Sequence, residues 1–218
     1  MTGVPRSSAR GFETPASGEV AGSFGLAGIA IIWDRIETPL GPLLIAATRR
    51  GLVRVAFAGK DCGSEPERLV GESELAVTRD PVTLEPAGRQ IEEYFSGSRR
   101  RFDLPLDLSM LRGFRFAVLR RLLAIPYGTT TSYGAVAATI GSPGAARAAG
   151  SACAANPLPV VVPCHRVVRS GGKLGGYAGG TEAKRALIEL EMGFAISRSC
   201  EPASRRQAPV ARYVQPQH

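Results

Sequence analysis

Cys164 ends the apolar run Leu158-Pro159-Val160-Val161-Val162-Pro163 and opens the string Cys164-His165-Arg166-Val167. A thiol beside an imidazole suits nucleophilic chemistry, because the thiolate attacks and a nearby base takes its proton. The chain has 2 histidines, and the other, His218, is its last residue. His165 is therefore the one candidate base for Cys164. A lone cysteine in an apolar run is ordinarily a small buried hydrophobe. Here Pro163 ends any central strand, and His165-Arg166 does not belong inside a core. The pattern predicts a buried strand over 158–163, with Cys164 where that strand leaves the core and the backbone turns.

Composition narrows the setting in which such a thiol works. The 218 residues carry a net charge of +8. From 29 to 110 there are 11 basic and 13 acidic residues; from 111 to 195 there are 10 basic and 3 acidic. The positive field belongs to the half that holds Cys164, and such a field attracts polyanions, nucleic acid above all. Four cysteines, Cys62, Cys153, Cys164 and Cys200, show no paired spacing. That fits a reducing compartment rather than a disulfide framework. With no Cys-x-x-Cys pair and so little histidine, neither a metal site nor a cofactor is expected. The apolar stretch Gly22–Trp33 is too short to span a membrane and follows Glu13 and Glu19 instead of a basic run. No membrane association is expected, and the location implied is the cytoplasm.

The elements that must position Cys164 can be read from periodicity. Residues 1–28 and 196–218 are rich in small residues, proline and, at the second end, arginine; both are expected to be disordered. Ile31–Phe57 reads as strands, with a hairpin turn at Arg49-Arg50-Gly51. Pro86–Phe95 reads as a helix with Ala87, Ile91 and Tyr94 on one face and Gly97 as its stop. These make a small α/β unit over 29–108. The second unit, 109–195, is mostly helical. Phe114, Val118, Leu122 and Ile125 have helical spacing. Ser132 can cap a short helix over Tyr133–Ile140 with Val136, Ala137 and Ile140 inward. Ser142 and Pro143 suit the start of the next, from Gly144 to about Ala155. Two helices joined so tightly form a helix-turn-helix. The fold class is α/β in the α+β sense: a small sheet domain, then a helical domain carrying the cysteine.

The second helix of that pair has almost no side-chain bulk. Ala145, Ala146, Ala148, Ala149, Gly150, Ser151, Ala152, Ala154 and Ala155 surround one charged residue, Arg147. Such a helix can press against a protein neighbour. A single long arginine on a flat helix in the basic half fits a nucleic-acid contact equally well.

Several strings together resemble the O6-alkylguanine-DNA alkyltransferases of bacterial type. They are Ile125-Pro126-Tyr127-Gly128, Ser132-Tyr133, Ala145-Ala146-Arg147-Ala148, Asn156-Pro157, Pro163-Cys164-His165-Arg166-Val167, Gly175-Gly176-Tyr177-Ala178-Gly179-Gly180, and Lys184, Leu187 and Glu191. The clear match runs from Phe114 to Glu191, and a weaker one through Glu37-Thr38-Pro39-Leu40-Gly41-Pro42-Leu43 extends it to about residue 30. The resemblance implies a ribonuclease-H-like first domain and a winged helix-turn-helix-like second one. It implies a protein, expected to be monomeric, that flips an alkylated guanine out of double-stranded DNA and moves the alkyl group irreversibly to a cysteine. Whether O4-alkylthymine is also accepted depends on the shape of the pocket, which the sequence leaves open. Cys164 would be the acceptor, His165 its base through a water, and Glu191 the group that holds the imidazole. Asn156 would brace the turn at the cysteine. Tyr133 would donate to a ring nitrogen of the leaving base. Arg147 would fill the gap left by that base. The smooth helix, through Ala145, Ala146, Ala148, Gly150 and Ser151, would lie in the minor groove. Val167, Tyr177 and Ala178, with Tyr133, would line the base pocket.

The chain departs from the family pattern in places. Arg115 and Leu119 stand where glutamine and tryptophan are frequent, Ala178 stands where some relatives have serine, and the zinc ligands of some relatives are missing. There is no sign of the extra regulator domain of some bacterial relatives. A damage-binding protein that lacks the acceptor would not have Cys164. A plain helix-turn-helix regulator would not need its Pro-Cys-His-Arg frame. A cysteine phosphatase would need arginine where Ser170 stands, and nothing speaks for a protease cleft.

Overall fold

The computed structural model describes residues 31–58 and 77–193. Both ends of the chain, with the disorder expected there, lie outside the described residues, as do Cys62 and Cys200. Three strands are built on short apolar runs: β1 (Ile31–Ile36), β2 (Leu43–Thr48), whose first five residues are all buried, and β3 (Gly51–Phe57). They pair antiparallel in sequence, and a short β4 (Val77–Arg79) joins β1 in parallel, giving the order β3-β2-β1-β4. Because side chains alternate across a sheet, Ile32, Ile36, Leu43, Ile45 and Val55 turn to the main core. Ile31, Leu44 and Ala46 form a smaller cluster with Trp33 and Val53 on the other face.

Helix α1 (Pro81–Phe95) packs on β1. It begins five residues before the expected Pro86. Asp80 caps it by accepting from the Thr83 amide at 3.0 Å, and Pro81 takes the first position, where its missing N–H costs nothing. Pro86 is an interior residue of the helix. Leu84, Ala87, Ile91 and Tyr94 form its buried stripe.

Helix α2 (Gly113–Leu123) buries Val118, Leu119 and Leu122. Strand β5 (Thr131–Ser132) leads into α3 (Tyr133–Thr139), which Ser132 caps through the Ala135 amide at 3.1 Å. Val136 and Ala137 are buried, whereas Ile140 is a half-buried cap residue. Helix α4 (Ala146–Ala154) starts later than expected, because residues 142–145 form a separate turn closed by Ala145 N to Ser142 O at 3.1 Å. It packs on α2 and α3, burying only Ala149, Ala152 and Cys153. Helix α5 (Gly180–Glu191) ends the described chain, with Lys184, Leu187 and Glu191 on its buried side.

The two halves share one continuous core that runs from Ile32 and Tyr94 to Val136, Cys164 and Leu187. The edge of β3 is held from both units: Leu52 exchanges backbone bonds with Pro105 and Asp107 at 2.8 Å, at the end of the first, and the Val55 amide donates to Pro157 O at 2.8 Å, in the second. No described helix is long and apolar enough to cross a membrane.

Candidate active site

The buried run 158–163 is not the strand that its sequence suggests. Pro157, Pro159 and Pro163 lack the N–H that a sheet ladder needs, so the segment folds as an irregular turn. Asn156 replaces the ladder. Its Oδ1 accepts from the Leu158 amide at 3.0 Å, and its Nδ2 donates to Val162 O at 2.9 Å. Inside the turn Val160 holds φ at 74°, the sole positive value for a non-glycine among the described residues. A β-branched side chain is strained there, so the surrounding bonds must hold it in place.

Cys164 opens a single 3₁₀ turn, Cys164–Arg166, that runs into β6 (Val167–Val168). Strand β6 pairs in parallel with β5, Thr131 opposite Val167 and Ser132 opposite Val168. This small ladder ties the reactive turn to the start of α3, where Tyr133 stands. The Cys164 thiol is 4 % exposed and accepts from Asn156 Nδ2 at 3.1 Å. Burial pushes its pKa up, partly offset by the Asn156 bond and the Lys184 charge. At rest it is a thiol and needs a base.

His165 is fully buried and Arg166 nearly so, against the expectation that such a pair avoids a core. The reason is Glu191, which the sequence places 25 residues beyond Arg166. His165 Nε2 lies 2.9 Å from Glu191 Oε1. Arg166 binds the same carboxylate with Nε at 2.9 Å from Oε2 and Nη2 at 2.8 Å from Oε1. Its Nη1 donates to Ile125 O at 2.6 Å, and its guanidinium covers the Tyr127 ring at 5.7 Å. The Gly128 amide donates to Glu191 Oε2 at 3.0 Å. Gly128 has φ of 73°, and a Cβ on it would press on the Glu191 carbonyl at 3.0 Å, so this donor must be a glycine. From α1, the Tyr94 hydroxyl donates to Glu191 Oε1 at 2.8 Å.

Burial alone would raise the pKa of Glu191, but the bonds from His165 and Arg166 outweigh it and bring it down to about 2. Burial pushes His165 the other way, below its ordinary value, despite the carboxylate beside it. The imidazole therefore rests neutral, and Arg166 is the standing counter-charge of Glu191. With Nε2 committed to Glu191, His165 Nδ1 has no hydrogen-bond partner among the described residues. A neutral imidazole in this arrangement holds its proton on Nε2 and its lone pair on Nδ1.

Lys184 Nζ, also buried, donates to Val167 O at 2.6 Å and to the Tyr133 hydroxyl at 3.3 Å. Burial raises the pKa of Tyr133, with the sulfurs of Cys153 and Cys164 adding to it and Arg169 opposing. Tyr133 is thus a phenol whose oxygen already accepts a bond, leaving its proton to donate. Its ring lies against the backbone of α4 at Gly150. Gly175 rests on the Tyr133 hydroxyl so closely that a Cβ there would collide with it.

Outside this cluster lies an open groove of about 640 Å³. Tyr133, Ala146, Arg147, Gly150, Ser151 and Gly175 line it, with Arg169 as a second cation and no acidic residue. Arg147 and Ala148 are exposed and Ala145 is half-buried, but Ala145 and Ala148 are not part of the groove wall. The expected pocket residues are placed less uniformly. Val167 is fully buried, Tyr177 packs edge-on to His165 at 6.2 Å and to Phe57 at 5.7 Å, and Ala178 is exposed. None of these three, nor Cys164 itself, reaches the groove surface. No three His, Cys, Asp or Glu side chains converge as metal ligands among the described residues.

Sequence reasoning missed Tyr94, Arg166 and Gly128 as parts of this site. Tyr94 carried a usable signal: a phenol on the core stripe of α1 must find a hydrogen-bond partner.

Comparison with known proteins completes the picture. The profile of the "6-O-methylguanine DNA methyltransferase, DNA binding domain" matches residues 113–193, and that of the "6-O-methylguanine DNA methyltransferase, ribonuclease-like domain" matches 31–108. A methylated-DNA–protein-cysteine methyltransferase of Mycobacterium bovis is 44 % identical over 163 residues, covering 74 % of this chain and 92 % of the relative. One from Methanosarcina barkeri is 39 % identical, covering 73 % and 96 %. The crystal structure of Mycobacterium tuberculosis OGT in complex with DNA is similar at a TM-score of 0.64 and 42 % identity, covering 74 % of this chain and 93 % of that one.

Proposed function

The chain belongs to the 6-O-methylguanine DNA methyltransferase family, and from that premise we propose that it repairs double-stranded DNA by moving the alkyl group of O6-alkylguanine to Cys164. The observation that carries this reading is the hydrogen-bonded chain from Asn156 to Cys164 beside the His165–Glu191 pair, seated behind a basic groove.

The groove receives DNA. Arg147 and Arg169 supply positive charge, and the small side chains of α4 let the backbone approach the minor groove. The alkylated base leaves the stack and Arg147 takes its place. Val167, Tyr177 and Ala178 meet the base once it is inside. His165 Nδ1 takes the thiol proton through a bridging water, and Glu191 stabilises the imidazolium that results. The sulfur then attacks the alkyl carbon. The S–C bond forms as the O6–C bond breaks, and its electron pair stays on the guanine. Tyr133 donates its proton to a ring nitrogen of the leaving base, and its phenolate is reprotonated by the proton that the imidazolium gives up, with Lys184 fixing its orientation. The net proton passes from the thiol to the restored guanine. The product thioether has no route back, so each molecule acts once.

One chain supplies every group in this scheme, which supports action as a monomer. A reaction that consumes a free thiol needs a reducing compartment, and the cytoplasm is the location we assign. Incubation with a duplex that carries O6-methylguanine tests the proposal. Methyl loss from the DNA should stop at one per protein molecule. Continued turnover would point to a thiol hydrolase, and tight binding without methyl loss to a damage-recognition protein.

A further inference from the structure

Among the described residues, the hydroxyl of Tyr94 is the one group from the first half of the chain that enters the hydrogen-bonded cluster around His165. Tyr94 is fully buried on the inner stripe of α1. Its ring is fixed edge-on to Phe95 at 5.5 Å and to Tyr127 at 6.2 Å, and lies tilted on Phe102 at 5.2 Å. Its oxygen sits 2.8 Å from Glu191 Oε1 and 3.3 Å from His165 Nε2.

Only one arrangement of protons satisfies all three groups. Glu191 accepts, so Tyr94 O–H and His165 Nε2–H both donate to Oε1. Were the imidazole proton on Nδ1, the Nε2 lone pair would face a carboxylate oxygen at 2.9 Å, and two acceptors would meet with no proton between them. A phenol placed across Nε2 and Oε1 also blocks the carboxylate from swinging away from the imidazole.

We propose that Tyr94 is a positioning residue for alkyl transfer: its hydroxyl, brought in by the sheet-bearing half, pins Glu191 against His165 and so keeps the lone pair of the base on Nδ1. The proposal rests on the function assigned above. The charged and titratable groups that face His165 are Glu191 and Lys184 from α5, Arg166 and Cys164 from its own turn, Tyr94 from α1 and Tyr177 from the loop before α5. Of these, Tyr94 and Tyr177 can lose a polar atom with the least change of shape, and of the two it is Tyr94 that bonds to Glu191.

The test uses the full chain and Tyr94→Phe, which keeps the ring and removes the oxygen. Single-turnover methyl transfer from an O6-methylguanine duplex should slow about tenfold at pH 7, in line with loss of one hydrogen bond to a charged group. Affinity for the duplex should not change. With one donor fewer, Glu191 presents more charge to the imidazole, so the acidic limb of the rate profile should move to higher pH. A pH profile that superimposes on that of the parent would overturn the proposal. Nitrogen-15 NMR of the parent's His165 gives a reading independent of activity. It should show the proton on Nε2, with the His165 pKa raised in Tyr94→Phe; a parent with the proton on Nδ1, or an unmoved pKa, would sink the role of Tyr94. If the parent moves no methyl group, the assigned function fails, and the NMR arm still decides whether Tyr94 sets the state of His165.

Discussion

Arg166 grips Glu191 through both carboxylate oxygens, Nε to Oε2 at 2.9 Å and Nη2 to Oε1 at 2.8 Å, with both side chains out of solvent. A carboxylate this deep is stable only with a fixed cation, and the neighbouring imidazole is neutral at rest. Arg166 therefore holds Glu191 ionised for the moment when His165 takes a proton.

Arg166→Met should leave Glu191 buried without its cation. Breaking such a pair costs about 3–5 kcal/mol. Urea denaturation should show a loss of that order, and transfer should fall with it because Glu191 would then hold a proton. A loss under about 1 kcal/mol would mean that His165 alone supports the carboxylate.

Acid should act through the same cluster in two steps. A neutral buried imidazole contributes stability that is full above its ordinary value of 6.5 and declines as pH falls below it. Glu191, brought down to about 2, contributes stability that is full above 4.5 and is lost as pH falls from there toward about 2. The urea midpoint, followed from pH 8 to pH 3, should drop across both windows. The transfer rate should fall as His165 protonates. A midpoint that is flat below pH 6.5 would contradict the neutral, buried base.

Asn156 makes three bonds that no other side chain can supply: to the Leu158 amide, to Val162 O and to Cys164 Sγ. Asn156→Ala should cost about 2–4 kcal/mol, because two of the lost partners are buried backbone groups. It should also raise the pKa of the Cys164 thiol, since the Asn156 bond lowers it. The change would be seen as a shift in the pH dependence of transfer. Unchanged stability would mean that the prolines alone hold the turn.

Arg147 is exposed at the wall of the groove and separates two kinds of DNA contact. Arg147→Ala should weaken base flipping, read by a fluorescent base analogue at the lesion, more than it weakens affinity for undamaged duplex. Equal losses would make Arg147 an ordinary phosphate contact. Higher salt should weaken both forms of binding, as a basic face releases counterions.

The hairpin of β2 and β3, helix α2 and the Ser132 cap of α3 could be read directly from local pattern, because each rests on periodicity or on one capping residue. The turn before Cys164 could not. Its apolar run reads as a strand, and the prolines that forbid one are outvoted by hydrophobicity in any local reading. The burial of His165 and Arg166 was invisible for another reason. A charged pair enters a core only with a partner, and Glu191 lies on a separate helix. Resemblance supplied Glu191; local sequence did not. Tyr94 shows what lies between these cases, a residue whose helical face was legible and whose hydrogen bond was not, because its acceptor is 97 residues away.

The central claim is that Cys164 is the acceptor, and a second buried thiol makes the claim sharp. Cys153 is also free, and burial raises its pKa to about 12. Intact mass and peptide mapping, before and after incubation with an O6-methylguanine duplex, decide between them. One added methyl per molecule, on the peptide of Cys164, is the predicted result, with none in Cys164→Ala although that variant still binds the lesion. A methyl on Cys153, or transfer by Cys164→Ala, would contradict the account.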